Sequence, residues 1–202
     1  LFARGWALTR NVAPPAPLRG GLYIEVGKPD EKARYLFATF EPEVIAELAR
    51  TIHEPWVYLK ICESPDKVGA VLPPGWIIRE PEGWMMTCAI TLAPVQVSKA
   101  YVLSIEELGT AVFQATIRHG GEIVASGRVA LLGDTVLFDQ IVTDAAHRRK
   151  GLGRSMMQAL SNTALDHGAR LGLLSATEMG RALYQTIGWA VHAPYTSAVI
   201  PG

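Results

Sequence analysis

Apolar and polar positions in the second half of the chain follow two periods. Val136, Leu137, Phe138, Ile141, Val142 and Thr143 make an apolar, β-branched run broken by the polar pair Asp139 and Gln140, which predicts a buried strand. Leu152, Met156, Leu160 and Ala164 then recur at every fourth position, with Arg154, Gln158, Asn162 and Asp166 on another face. An amphipathic helix is therefore expected over residues 151–167, stopped by Gly168. A strand at Leu171–Ala176, a short helix, the pair Gly188–Trp189 and a final strand complete this half. Ahead of it, from Val95 to Asp134, the alternation is that of strands. Gly120–Gly121 and Gly133–Asp134 are hairpin signals, so an antiparallel meander leads into the 136–142 strand and the sheet is mixed.

The first half reads as strand, helix, strand, helix, strand. LYIEVG follows Gly20–Gly21 as a short strand, and Val44, Ile45, Leu48 and Ile52 share a helical face. WVYLKIC is a buried strand, SPDKVGAVLPPGW a short helical turn broken by Pro73 and Pro74, and GWMMTCAITL an apolar strand. Residues 1–20, which contain APPAPLRG, are expected to form an extended arm. The element order echoes the second half: Gly21 matches Val136, Val57 matches Leu171, and Gly75–Trp76 matches Gly188–Trp189, at offsets of 115, 114 and 113 residues, as a decayed duplication would. The expected division is an arm at 1–20, an α/β half at 21–94 and a second domain at 95–202. In that alignment Ala33–Ala38 stands where the second half has Arg148–Gly153, so one anion site is expected, not two.

Composition narrows the partners. Hydrophobic residues make up 49% and charged residues 19%, a soluble globular balance with room for a sizeable core. Lys plus Arg equals Asp plus Glu at 19 each, so no overall field attracts nucleic acid or an anionic membrane, and neither is an expected partner. Cys62 and Cys88 lie in no CxxC pattern and read as buried small apolar residues, which suits a reducing cytoplasm. The histidines show no HxxxH pairing and no metal is expected. The opening LFARGWALTR has no long apolar run, so neither a signal peptide nor a membrane span is expected.

Between the strand and the helix lies Arg148-Arg149-Lys150-Gly151-Leu152-Gly153. Glycines here let the backbone turn tightly and bring first-turn N–H groups close to an anion, while the helix dipole and three cations favour a pyrophosphate over a carboxylate. Neither GxxxxGK[ST] nor GxGxxG is present. Arg, two residues, Gly, one residue, Gly, followed by LGLLSATEMGRALYQTIGW with its Leu-Tyr pair and Gly before an aromatic residue, resembles the GNAT acetyltransferase superfamily over Thr110–Ile200. The resemblance implies an α/β fold of the α+β type, with a central, mostly antiparallel mixed sheet splayed at the cofactor site and flanked by helices. It makes 95–202 the acetyltransferase domain and 21–94 a GNAT-like half serving as scaffold or substrate wall. The chain departs from the family in two places. The two helices that usually precede the meander are not visible after Thr91, and Ala145 stands where the family often has proline.

By the same resemblance the cosubstrate is acetyl-CoA, and the activity is transfer of its acetyl group to the amine of a small molecule or protein. Ile141, Val142 and Thr143 would meet the pantetheine arm, and Arg148, Arg149, Lys150, Gly151, Leu152, Gly153 and Arg154 the pyrophosphate. Val142 N–H would polarise the thioester carbonyl and Tyr184 would serve the departing thiolate as acid. For the general base, Asp139 on the strand is preferred and Glu178 at the start of the short helix is the alternative. The expected partners are a small-molecule or peptide amine and, in a homodimer, a second copy of the chain. The competing reading is a non-catalytic acyl-CoA sensor.

Overall fold

The structure, a computed structural model, describes residues 1–202. In chain order its first half holds α1 (Phe2–Arg10), β1 (Ala16–Leu18), β2 (Gly21–Lys28), β3 (Glu31–Phe37), α2 (Pro42–Thr51), β4 (Val57–Ile61), α3 (Pro65–Gly69), β5 (Ile77–Ile78) and β6 (Gly83–Ala89). The second half holds β7 (Val102–Gly109), β8 (Val112–His119), β9 (Glu122–Leu132), β10 (Thr135–Thr143), α4 (Leu152–Asp166), β11 (Leu171–Thr177), α5 (Glu178–Gln185) and β12 (Ala190–Val199). Two compact units result, and they are interleaved along the sequence instead of dividing near residue 94. One comprises 1–9, 87–174 and 182–190; the other comprises 10–86, 175–181 and 191–202. No helix is long and apolar enough to cross a membrane.

In the first of these units β7, β8, β9 and β10 form the expected antiparallel meander, and β11 adds in parallel on the far side of β10. Gly120, Gly121 and Gly133 take the left-handed backbone conformation that their tight turns demand. The β10–α4–β11 connection is a crossover, the usual way to join parallel neighbours, and α4 packs on β8, β9 and β10. Its apolar stripe follows the four-residue spacing: Leu152, Met156, Leu160 and Ala164 are all buried.

The expected extended arm is instead the helix α1. Ala3 and Ala7 lie one turn apart and are buried with Trp6, Gly5 and Thr9, so packing of one small-residue face holds a short helix whose sequence carries little intrinsic preference. Gly5 sets how close α1 approaches the sheet, since a Cβ there would stand 2.6 Å from Leu137 Cβ.

The other unit orders its strands β1-β2-β3-β4-β12, with β5 also on β12. β3 and β4 are parallel, joined by α2, and β12 runs antiparallel to β4. Val44, Ile45 and Ala49 of α2 pack on Phe37, Val57, Leu59, Ile61 and Ala198, which is the core of this unit. The sequence read one strand where β2 and β3 form a hairpin, so the structure shifts the internal match. The strand that precedes α2 is β3, and the counterpart of the basic turn is residues 38–41, not Ala33–Ala38, most of which lies inside β3. Cys62 and Cys88 are free thiols of intermediate exposure, not the fully buried residues expected, and burial pushes both thiols up.

Gly5→Val overpacks the contact of α1 with Leu137. The variant is expected to lose about 1–3 kcal/mol of stability in urea unfolding followed by circular dichroism, whereas Leu8→Ala, at an exposed position of the same helix, changes the midpoint little.

Candidate functional site

The site is built where β10 stops being a regular strand. Asp139 stands opposite Arg128 and Val142 opposite Ser126, so Gln140 and Ile141 share the single position facing Gly127. Gln140 carries φ +56°, and a Cβ on Gly127 would lie 2.5 Å from Ile141 Cδ1. The bulge thus needs glycine on β9 to let Ile141 fold towards Met156 and Leu160 of α4. Beyond it, Asp144 N–H donates to Val124 O at 2.9 Å. Antiparallel alternation then turns Val142 N–H towards β9 as well, while Thr143 directs its backbone groups to the opposite edge. The pairing of β10 with β11 runs only from Thr135↔Leu171 to Leu137↔Leu173. On that edge Thr143 therefore offers its N–H to a ligand, and Val142, whose side chain is exposed, does not.

Thr9, at the C-terminal end of α1, fastens the bulge. Its hydroxyl donates to Asp139 Oδ2 at 2.8 Å, and its carbonyl accepts from Arg128 Nη1 at 2.9 Å and Gln140 Nε2 at 3.2 Å. These are donors at a helix C-terminus, where the dipole favours positive charge. Nothing in the sequence pattern links residue 9 to residue 139.

After a single 3-10 turn at Ala145–His147 the chain enters the basic turn. Arg149 and Gly151 are both left-handed, at φ +60° and +80°, and Gly151 is the N-cap of α4 without a side-chain cap. No acidic residue occupies the first turn of α4, so its leading N–H groups face outward under the dipole with Arg148, Arg149 and Lys150 beside them. Gly153 has a different task from the tight turn expected of it. It lies inside the helix, and a Cβ there would meet Leu183 Cδ2 at 2.9 Å, so glycine lets α5 approach. Arg148 Nε donates to Thr143 O at 3.1 Å and ties the turn to the strand end, and Arg154 Nη2 donates to Thr186 Oγ1 at 3.0 Å. A cavity of about 540 Å³ opens beside the turn, lined among others by Gln96, Ser98, Lys150, Arg154, Ser155 and Gln158. The wall from 94 to 98 is irregular chain ahead of β7, although the alternation from Val95 onward reads as strand. It is held by Ser155, whose hydroxyl donates to Gln96 O, and by Asn162, which bonds Ala93 through both its amide groups.

Tyr184 on α5 is buried, its ring 6.2 Å from that of Trp189. Burial, and after it the negative charge of Asp139, pushes the phenol up to about 12. The hydroxyl is therefore a protonated donor throughout the neutral range. Glu178 is engaged: Oε2 accepts from Trp84 Nε1 at 3.1 Å and Oε1 pairs with Arg181 at 2.6 Å, with the Arg181 guanidinium 4.2 Å from the centroid of the Trp84 ring. That clasp is a structural use of the carboxylate. His147 is half-buried, with Tyr101 Oη 3.1 Å from its Nδ1 and the tilted ring of His119 5.1 Å away. No group of three His, Cys, Asp or Glu side chains is placed to hold a metal.

Residues 109–191, which hold β8 to β11, the bulge, the basic turn and α5, match the family model described as an acetyltransferase (GNAT) domain. Among solved structures the chain is similar to a GCN5-related N-acetyltransferase from Kribbella flavida, at 15% identity, with 99% of this chain and 94% of that one covered and a TM-score of 0.72. It is similar to a putative GNAT-family acetyltransferase from Novosphingobium aromaticivorans, at 13% identity, covering 89% and 87%, with a TM-score of 0.59. A tandem GNAT protein from the clavulanic acid biosynthesis pathway aligns at 15% identity over 83% of this chain and 74% of that one, with a TM-score of 0.58. At these identities the structural likeness speaks for the fold, and the family model for residues 109–191. The mixed sheet with its flanking helices is a GNAT-like acetyltransferase fold, and within it residues 109–191 match the acetyltransferase (GNAT) domain.

Proposed function

We propose that this chain is an acetyl-CoA-dependent N-acetyltransferase acting on the amine of a small molecule or peptide. The observation that carries the reading is the start of α4: a left-handed glycine cap, no acid in the first turn, and three consecutive cations directly before it. A pyrophosphate matches that set, since it accepts several N–H bonds at once and its charge opposes the dipole. Arg148, Arg149, Lys150, Gly151, Leu152 and Gly153 would hold it, with Arg154 on the cavity side. Thr143 would hydrogen-bond a pantetheine amide along the free edge of β10.

The acyl thioester supplies an activated acetyl group. Val142 N–H is not assigned to polarise its carbonyl, because the bulge and the Asp144 bond direct it towards β9. Asp139 is the carboxylate assigned to take the acceptor's proton, directly or through water, oriented by the Thr9 hydroxyl. Tyr184 is assigned to donate its hydroxyl hydrogen bond to the departing sulfur.

Arg149→Gly relieves the left-handed backbone and removes one charge, whereas Arg149→Glu places an anion against the pyrophosphate. Calorimetric titration with acetyl-CoA is expected to show a loss of about tenfold or more for Glu and a smaller one for Gly; unchanged affinity in the Glu variant would remove the cradle assignment. Tyr184→Phe is expected to lower kcat by about 10²–10³ in a thiol-release assay with a panel of amines, leaving acetyl-CoA affinity intact. Because its phenol stays protonated up to about pH 12, Tyr184 adds no falling limb to the rate between pH 7 and 10. A falling limb in that range that Tyr184→Phe abolishes would mean that the phenol titrates there, against the raised pKa on which its role as a persistent donor rests. Binding without turnover across the whole panel would make the chain an acyl-CoA sensor instead.

A further inference from the structure

Tyr101, His119 and His147 come from three segments far apart in sequence, and the fold gathers their side chains in one place. Each stands on a turn whose backbone is fixed. Tyr101 ends the turn ahead of β7, where its N–H donates to Ser98 O at 2.9 Å. His119 closes β8 at the left-handed Gly120–Gly121 turn, and His147 closes the 3-10 turn, where its N–H donates to Asp144 O at 2.9 Å. Tyr101 Oη lies 3.1 Å from Nδ1 of His147. The centroid of the His119 ring is 5.1 Å from that of Tyr101 and 5.1 Å from that of His147. No spacing in the sequence pairs these residues, and the proposed transfer reaction uses none of them.

These separations are those of ligands that share one ion. Two ligand atoms that each stand about 2.0–2.1 Å from a tetrahedral Zn2+ are about 3.3 Å apart, close to the Oη–Nδ1 separation, and two imidazole rings bound in that way have centroids about 5 Å apart. His119 is exposed and the other two residues are half-buried, so an ion with its water reaches the cluster from solvent. The surrounding charge also admits a cation. Glu122 stands directly opposite His119 across the hairpin, on the same face of the sheet. Arg118 is on the other face of β8 and donates to Gly121 O at 2.8 Å, and Arg148, next to His147, donates to Thr143 O at 3.1 Å, so both guanidinium groups are engaged elsewhere.

We propose that Tyr101, His119 and His147 form a binding site for a divalent transition-metal cation of the zinc class, with two imidazole nitrogens and the phenol oxygen as ligands and water in the fourth position. Imidazole suits zinc, copper and nickel, whereas magnesium and calcium call for oxygen ligands throughout. The ion replaces the proton shared by Tyr101 Oη and His147 Nδ1, and that proton passes to solvent. Once bound, the ion ties the end of β8 and the turn ahead of β7 to the 3-10 turn that leads into Arg148. Its role is structural, and no step of acetyl transfer passes through it.

The full-length chain, stripped with a chelator that is then removed, is titrated with Zn2+ by calorimetry. One equivalent is expected to bind with a micromolar Kd, and Mg2+ is expected not to compete. Loss of a mere outer partner of a metal ligand costs about tenfold in affinity, so His119→Ala and His147→Ala are each expected to cost at least that, and Tyr101→Phe less. His53→Ala, at an exposed histidine of the other unit, leaves binding unchanged. Far-UV circular dichroism checks that each variant is folded. Cu2+ bound to the unaltered chain supplies a readout that needs no variant, since its electron paramagnetic resonance spectrum is expected to show coupling to two imidazole nitrogens. Zn2+ affinity that survives His119→Ala or His147→Ala overturns the proposal. So does a Cu2+ spectrum without nitrogen coupling, or Zn2+ binding that disappears when Cys62 and Cys88 are alkylated. Acetyl-CoA is absent throughout, so the outcome is independent of the acetyltransferase reading.

Discussion

Gln140 and Ile141 occupy the place of one residue, and the candidate site depends on that irregularity being held in place. A regular β10 would give alternate N–H groups to β9 and leave no reason for the strand to stop following its neighbour. The extra residue instead is absorbed by a left-handed Gln140, a conformation that costs a non-glycine residue on the order of 1 kcal/mol. Two features offset this. Gly127 removes the Cβ that would collide with Ile141, and Thr9 gathers Asp139, Gln140 and Arg128 onto the last turn of α1. A helix of nine residues far from the basic turn in sequence therefore fixes which backbone groups β10 presents at its free edge.

The same strand–helix–strand unit occurs twice, and electrostatics decides which copy is suited to an anion. At the start of α4 the cap is a glycine, the first turn has no acid, and Arg148 to Lys150 precede it. At the start of α2 the cap is Glu41, Pro42 follows, and Glu43 lies in the first turn. Carboxylates there satisfy the helix dipole from within the chain and repel a phosphate. Proline also removes one of the N–H donors that a phosphate would need. The two copies have the same topology and opposite charge at the corresponding point, so one cradle follows from side chains, not from the fold.

What was legible in the sequence was whatever is encoded locally. The four-residue spacing of Leu152, Met156, Leu160 and Ala164 gave α4 to within a residue, because its apolar face is the same face that the sheet buries. The glycine-turn hairpins and the cation-glycine run were legible for the same reason: each depends on a few adjacent residues. The errors arose where distant contacts override local preference. Phe2–Arg10 is helical because Trp6 and the small residues beside it find a surface to pack on, and the neighbouring prolines masked that. Lys28 to Glu31 makes a hairpin between β2 and β3 that lacks the usual Asn-Gly or Asp-Gly signal, so only the first of the two strands was read. The orientation of Val142 was out of reach altogether. One inserted residue reverses the sense of the alternation, and the only sign of it in the sequence is the polar pair Asp139–Gln140.

The environment of Tyr184 also bears on how a departing thiolate would be served. A simple thiol has a pKa near 8.5, so a phenol held at about 12 lies several units on the wrong side for complete proton transfer. Burial and the nearby Asp139 charge both disfavour the phenolate, and they also make the hydroxyl a persistent donor in a desolvated place, where a hydrogen bond to an anion is strong. Stabilisation of developing charge on sulfur by that bond needs no proton to move at the moment the C–S bond breaks. The thiolate then picks up its proton from solvent after it has left. In the proposed reaction Tyr184 would therefore act as an electrostatic donor in place of a general acid, and Asp139, the base assigned there, would also keep Tyr184 protonated.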